Sequence, residues 1–184
     1  AGAILFKDAS TNKGGVTSSS KEVLASLAFD DAGFLKKMCI GEDQTKPAFY
    51  KAYVKEVQAI IQRNAKLEFE MLWKLRQSSG KPISELSDEL SIAINDLADS
   101  LADSKELWEE DIEFRNAVLI DALPSLLLKE VGIANLLSRV PDAYLKRIFS
   151  THLADEYVYS RGINANPASF LEYISTLRKS FIKQ

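Results

Sequence analysis

One cysteine and one histidine occur in 184 residues, with 8 glycines and 5 prolines. A single cysteine, Cys39, excludes an internal disulfide, and Cys39 with His152 falls short of the soft ligands a structural zinc site needs. Cys39 reads as a small packing residue, and His152 as a helix-surface or hydrogen-bonded core side chain. No apolar run approaches the roughly 20 residues that cross a bilayer. The net charge of -3 comes from interleaved acids and bases, so no basic stripe is available to follow a phosphate backbone, and nucleic acid is not expected as a partner. The opening AGAILFKD is too short and wrongly flanked for a signal peptide and reads as the middle of a longer protein. A cytoplasmic protein is expected, with any upstream targeting segment, such as a mitochondrial one, out of view.

What is present is the material of one helical core: 46% hydrophobic and 27% charged residues, the balance of a folded chain. Ala3 to Phe6 is a short apolar run of the kind found in a strand buried on both faces, without a second strand to pair with. The loop-like DASTNKGGVTSSS follows, then a helical pattern on Val23, Leu24, Leu27 and Ala28. Serines stand where an N-cap is expected, and Ser19 with Glu22 has capping-box spacing. A further turn or two around Phe34 to Met38 should stop near Gly41.

From Pro47 to about Gln77 the longest helix carries Tyr50, Tyr53, Val54, Val57, Ile60, Ile61, Leu67, Met71 and Leu75 at helical spacing, and Gly80 closes it. Asn64 and Glu68, one turn apart, read as a local packing pair. A helix from Ser84 or Ser87 to Ala102 shows Leu86, Leu90, Ile94, Leu97 and Leu101 on one face. Its Asp96, Asp99 and Asp103 lack the glycine and closing glutamate of a calcium loop and read as a solvated face. Further helices are expected over Trp108–Leu123, Pro124 to Gly132, Pro141 to Gly162, and from Asn166 and Pro167 onward, proline opening and glycine closing. Seven or eight helices result. Tyr144, Phe149, Tyr157, Phe170, Tyr173 and Phe181 fall at helical spacing, which makes core rather than a cofactor box. The fold class is therefore mainly α.

KGGVTSSS is the one string with chemical content. Adjacent glycines permit close backbone approach, and serines at a helix start direct amides and hydroxyls at an anion. It is not a Walker A loop, because its lysine precedes the glycines. On these residues alone a ligand-free strand-to-helix turn is the plainer reading.

The longer string FKDASTNKGGVTSSSKEVLASLAF resembles the end of the coenzyme-binding domain in large fungal NAD-dependent glutamate dehydrogenases. NAKLEFEMLWKL, ISELSDELSIAI, FRNAVLIDALPSLLLKEVG and RVPDAYLKRIFSTHLADEYVYSRGI are similar to the same family, in the same order. The first segment resembles more distantly the smaller hexameric glutamate dehydrogenases, whose stretch reads as a proline-aspartate pair, three residues, then NAGGVTVSYFE. Asp8, Asn12, Gly14, Gly15, Val16, Thr17, Ser19 and Glu22 match, and Lys13, Ser18, Ser20 and Lys21 depart. The resemblance implies that Asn12 lies near nicotinamide and substrate, that Gly14 and Gly15 belong to the cofactor side, and that Ser19 binds the distal carboxylate of glutamate. It implies a C-terminal part of an NAD-dependent enzyme, with residues 1–45 ending the coenzyme-binding domain as a strand-loop remnant of Rossmann type. Residues 46–184 would form a C-terminal helical, bundle-like domain. The catalytic lysine and aspartate and the dinucleotide glycine loop would lie upstream, so no catalytic or metal-binding residue is assigned here and the chain alone is expected to be inactive. L-glutamate, 2-oxoglutarate, NAD and a homo-oligomeric assembly are the implied partners. A free-standing helical module that binds a partner helix is the competing reading, supported by the lack of a complete catalytic constellation.

Overall fold

The computed structural model describes residues 4–11, 13–42, 44–164 and 166–182, and every regular element among them is helical. In chain order these are α1 (Asp8–Thr11), α2 (Lys13–Ala28), α3 (Asp31–Met38), α4 (Ala48–Ser79) and α5 (Ile83–Ala102). One π turn (Glu106–Glu110) precedes α6 (Ile112–Ala122), α7 (Ser125–Val131), α8 (Ile133–Arg139), α9 (Asp142–Arg161) and α10 (Pro167–Ile182). The mainly helical reading is thus the structure. The strand of the expected remnant is not formed: Ile4–Phe6 are irregular, while Ala3 lies outside the described residues. Within the described part of this apolar run Phe6 stacks on Phe69 with ring centroids 5.7 Å apart, while Ile4 and Leu5 are exposed.

A second correction concerns the loop. Helix begins at Asp8 and resumes at Lys13, so Gly14 and Gly15 occupy the first turn of α2, where a helix tolerates glycine and its amides have no intrahelical acceptor. Ser18, Ser19 and Ser20 therefore lie inside α2, and the expected serine N-cap and Ser19–Glu22 box do not exist. Each hydroxyl instead donates back to its own helix: Ser18 and Ser19 to the Gly15 carbonyl, Ser20 to that of Thr17. Serine bonded this way is compatible with helix interior, and burial of Leu24, Ala25 and Ala28 further on supplies the packing that composition alone conceals.

A third concerns Trp108–Leu123, which is two elements. Asp111 leaves helical geometry at φ -94 and ψ 68, and its carboxylate accepts the Phe114 N–H at 3.1 Å. An aspartate offering that bond starts a new helix rather than continuing the old one. The remaining punctuation holds. Gly80, Gly132 and Gly162 all have positive φ, and Asn166 accepts the Ser169 N–H at 2.9 Å to cap α10. α8 is an element the proline and glycine signals did not announce.

The chain forms two compact units. One gathers the residues up to Thr11, Leu67–Ala122 and Lys146 onward. Its core joins Met71 and Leu72 of α4, Ile83, Leu86 and Leu90 of α5, and Tyr157 and Val158 of α9, with Phe170 and Tyr173 of α10 packed against them. Trp108, Phe114 and Phe149 make edge contacts nearby in the same unit. His152 bonds Asp121 at 3.0 Å and Arg147 bonds Asp99 at 2.5 Å, so the histidine is satisfied and that aspartate serves an ion pair on the surface. Glu68 is buried and accepts from the Tyr159 hydroxyl at 3.5 Å.

The other unit comprises Asn12–Lys66 and Leu123–Leu145. Here α2 packs on α3, α7 and α8, burying Leu24, Ala25, Ala28, Leu127 and Leu136. Cys39 is a free thiol just after α3. No helix is long and apolar enough to cross a membrane, and the described residues contain no cluster suited to a metal ion.

Candidate functional site

Every candidate residue from the sequence belongs to the segment around α2. Asn12 lies outside the described residues. Gly14 and Gly15 open the helix, and Ser19 follows one turn after Gly15, with its hydroxyl 3.0 Å from the Gly15 carbonyl. An open depression of about 550 Å³ runs along this face, lined by Gly15, Val16, Ser19, Ser20, Val23 and Tyr144. The first five follow from helical geometry, since positions i, i+1, i+4, i+5 and i+8 share one side. Ser18 does not line it, so the depression separates two of the three consecutive serines from the third. Val16 is 80% exposed and Val23 46%, which makes this an uncovered, largely apolar face carrying a few hydroxyl groups.

Tyr144 is the residue that sequence reading missed as part of this surface. Its helical spacing with other aromatics points to the core, whereas it stands in the first turn of α9 and its hydroxyl donates to the Ser20 carbonyl at 3.0 Å. Tyr53 of α4 does the same one residue further, donating to the Lys21 carbonyl at 2.8 Å. Burial raises both phenols above their ordinary range, and the Glu56 carboxylate adds to the effect at Tyr53. Phenols are neutral donors near pH 7 even unshifted, and the rise extends that state toward alkaline pH. Burial lowers the Lys21 ammonium, with Glu56 attraction opposing. Glu56 itself reaches the start of α7, where it accepts from the Ser125 and Leu126 amides.

The arrangement offers a serine hydroxyl that can turn from an exposed intrahelical carbonyl to an incoming acceptor, beside apolar surface. The described residues include no strand edge and no glycine turn between strand and helix, the features on which a pyrophosphate rests. Gly14 and Gly15 fit at most one edge of such a site.

The family model for glutamate/leucine/phenylalanine/valine dehydrogenases matches residues 1–80. The chain is 51% identical, over 95% of its length, to the NAD-specific glutamate dehydrogenase of Neurospora crassa. Identity is 49% over 97% of the chain to the NAD-specific glutamate dehydrogenase of Saccharomyces cerevisiae. It is also 49% over 97% to the probable one of Schizosaccharomyces pombe. In each case the chain spans only 16% of the relative's length. No solved structure matches.

Proposed function

We propose that this chain is a piece, about one sixth of the relatives' length, of an NAD-specific glutamate dehydrogenase, and that it forms one wall of a glutamate-oxidising cleft. The reaction is oxidative deamination of L-glutamate to 2-oxoglutarate and ammonia, with NAD as hydride acceptor. Near-50% identity along nearly the entire chain is the observation that carries this reading. Residues 1–45 are the end of the coenzyme-binding domain, and 46–184 the helical domain that follows it.

Within that cleft Ser19 binds the distal carboxylate of glutamate. Its hydroxyl exchanges the Gly15 carbonyl for a charged acceptor, and a hydrogen bond to a charged group is the stronger of the two. Asn12, Gly14 and Gly15 lie on the side where substrate meets nicotinamide. Val16, beside Ser19 on the same face, offers apolar surface to the substrate's methylene groups. The groups that move protons belong to the rest of the polypeptide, so this chain binds and orients. The whole enzyme is a cytoplasmic homo-oligomer and does not act on nucleic acid.

Two measurements test the reading. The full-length protein should reduce NAD in the presence of glutamate, and the isolated chain should neither do so nor give binding heat with NAD in a calorimetric titration. A full-length protein inert toward glutamate, or an isolated chain that binds NAD at micromolar concentration, overturns it.

A further inference from the structure

We infer that Tyr144 is a positioning residue of the Ser19 site: its hydroxyl holds the α2 turn that carries Ser19, and its ring lines the same open depression. The inference rests on the reading of Ser19 as a substrate contact and extends it to a residue well beyond the family-model match, which ends at residue 80.

Three observations support it. Tyr144 lines the same depression as Val16 and Ser19. Its hydroxyl donates to the Ser20 carbonyl, a partner 124 residues away in sequence. Tyr53 holds the very next carbonyl, that of Lys21, from a different helix. Neighbouring side chains on a helix point about 100° apart, so rotating α2 by one residue would break both bonds and turn Ser19 off this face. Buried Leu24, Ala25 and Ala28 anchor the opposite side of α2, while Val16 and Val23 on this face are exposed, so the two phenols add their hold on the side that carries Ser19. A phenol suits the position chemically. A phenol of ordinary acidity is already a neutral donor near pH 7, and burial moves this one further up, so it adds no negative charge beside a carboxylate substrate.

The test is steady-state kinetics on the full-length enzyme with Tyr144→Phe, Tyr144→Ala and Ser19→Ala, together with thermal midpoints. Losing one neutral hydrogen bond corresponds to about a fivefold loss in efficiency. For Tyr144→Phe that loss should appear in the KM for glutamate, leaving kcat and the KM for NAD in place. Tyr144→Ala, which removes the ring as well as the hydroxyl, should raise the glutamate KM further, again leaving kcat and the KM for NAD in place. A glutamate defect in Ser19→Ala with both Tyr144 variants at wild-type KM overturns the role of Tyr144 and leaves the Ser19 reading standing. No glutamate defect in Ser19→Ala removes that reading and this inference with it. Tyr144 variants that lower the midpoint and depress all kinetic constants evenly show a structural tyrosine only, and overturn the inference.

Discussion

The Oε1 atom of Glu56 accepts two hydrogen bonds from Ser125, one from its backbone N–H and one from its hydroxyl, both at 2.7 Å. Leu126 adds its own amide to the carboxylate, so a side chain from the first third of α4 caps the start of α7. Pro124 precedes that helix and provides no side-chain cap, which leaves the work to a residue 69 positions back. Glu56→Ala should therefore destabilise the chain by about 1–2 kcal/mol, the usual worth of a lost N-terminal cap. Glu56→Gln, which keeps one acceptor oxygen, should recover part of that. Urea midpoints at constant slope check it; equal midpoints for wild type and Glu56→Ala contradict it.

Gly132 joins α7 to α8 at φ 81 and ψ 146, a conformation that side-chain-bearing residues rarely hold. A Cβ there would meet nothing within 4 Å, so backbone strain alone decides the outcome. Gly132→Ala should cost about 1–3 kcal/mol. Unchanged thermal stability in that variant shows that the turn relaxes to another geometry.

This junction also shows what sequence could and could not tell. Proline marks helix ends by its fixed φ and missing N–H, and glycine by its access to positive φ, both local properties, and Gly80, Pro141, Gly162 and Pro167 were legible for that reason. α8, seven residues between Gly132 and Pro141, offered too short an apolar period to recognise. The start of α2 was misread because glycine, serine and threonine have turn composition, whereas the packing of Leu24 and Ala28 that favours helix is nonlocal. For the candidate site, Ser19 was reachable through resemblance to a family. Tyr144 was not, because its relation to Ser20 is a tertiary contact and a tyrosine at helical spacing looks the same in core or cleft.

Alkaline pH should expose a different set of contacts. Burial, with the Glu156 and Asp121 carboxylates, pushes the Tyr173 phenol up to about 12. Its folded value exceeds its unfolded value of about 10, so the folded state keeps a proton that the unfolded state releases between those pH values. The contribution is complete below about pH 10 and is lost as pH rises toward about 12. Between about pH 9.5 and 11 wild type should lose more stability than Tyr173→Phe, which has no phenol to ionise. Parallel pH profiles would show that Tyr173 titrates in the ordinary range.

The last prediction separates the binding and structural roles of Ser19 by sign. Were Ser19 an N-cap, as its spacing to Glu22 suggested, Ser19→Ala would cost about 1 kcal/mol of stability. The structure places it inside α2, with its hydroxyl bonded to Gly15 and exposed. At such a position alanine is the better helix former, by up to about 0.7 kcal/mol, so the substitution should leave the midpoint unchanged or raise it slightly. In the full-length enzyme the same change should weaken glutamate by about tenfold to a hundredfold, the worth of a hydrogen bond to a charged acceptor. Because the distal carboxylate does not react, most of that loss belongs in KM, and a substrate lacking this carboxylate should lose little. Ser18, which bonds the same Gly15 carbonyl but does not line the depression, provides the control: Ser18→Ala should leave both stability and glutamate dependence close to wild type. A stability loss without a glutamate defect would return Ser19 to a purely structural role. A selective defect in Ser18→Ala, with Ser19→Ala unaffected, would move the binding role one residue back and off this face of the helix.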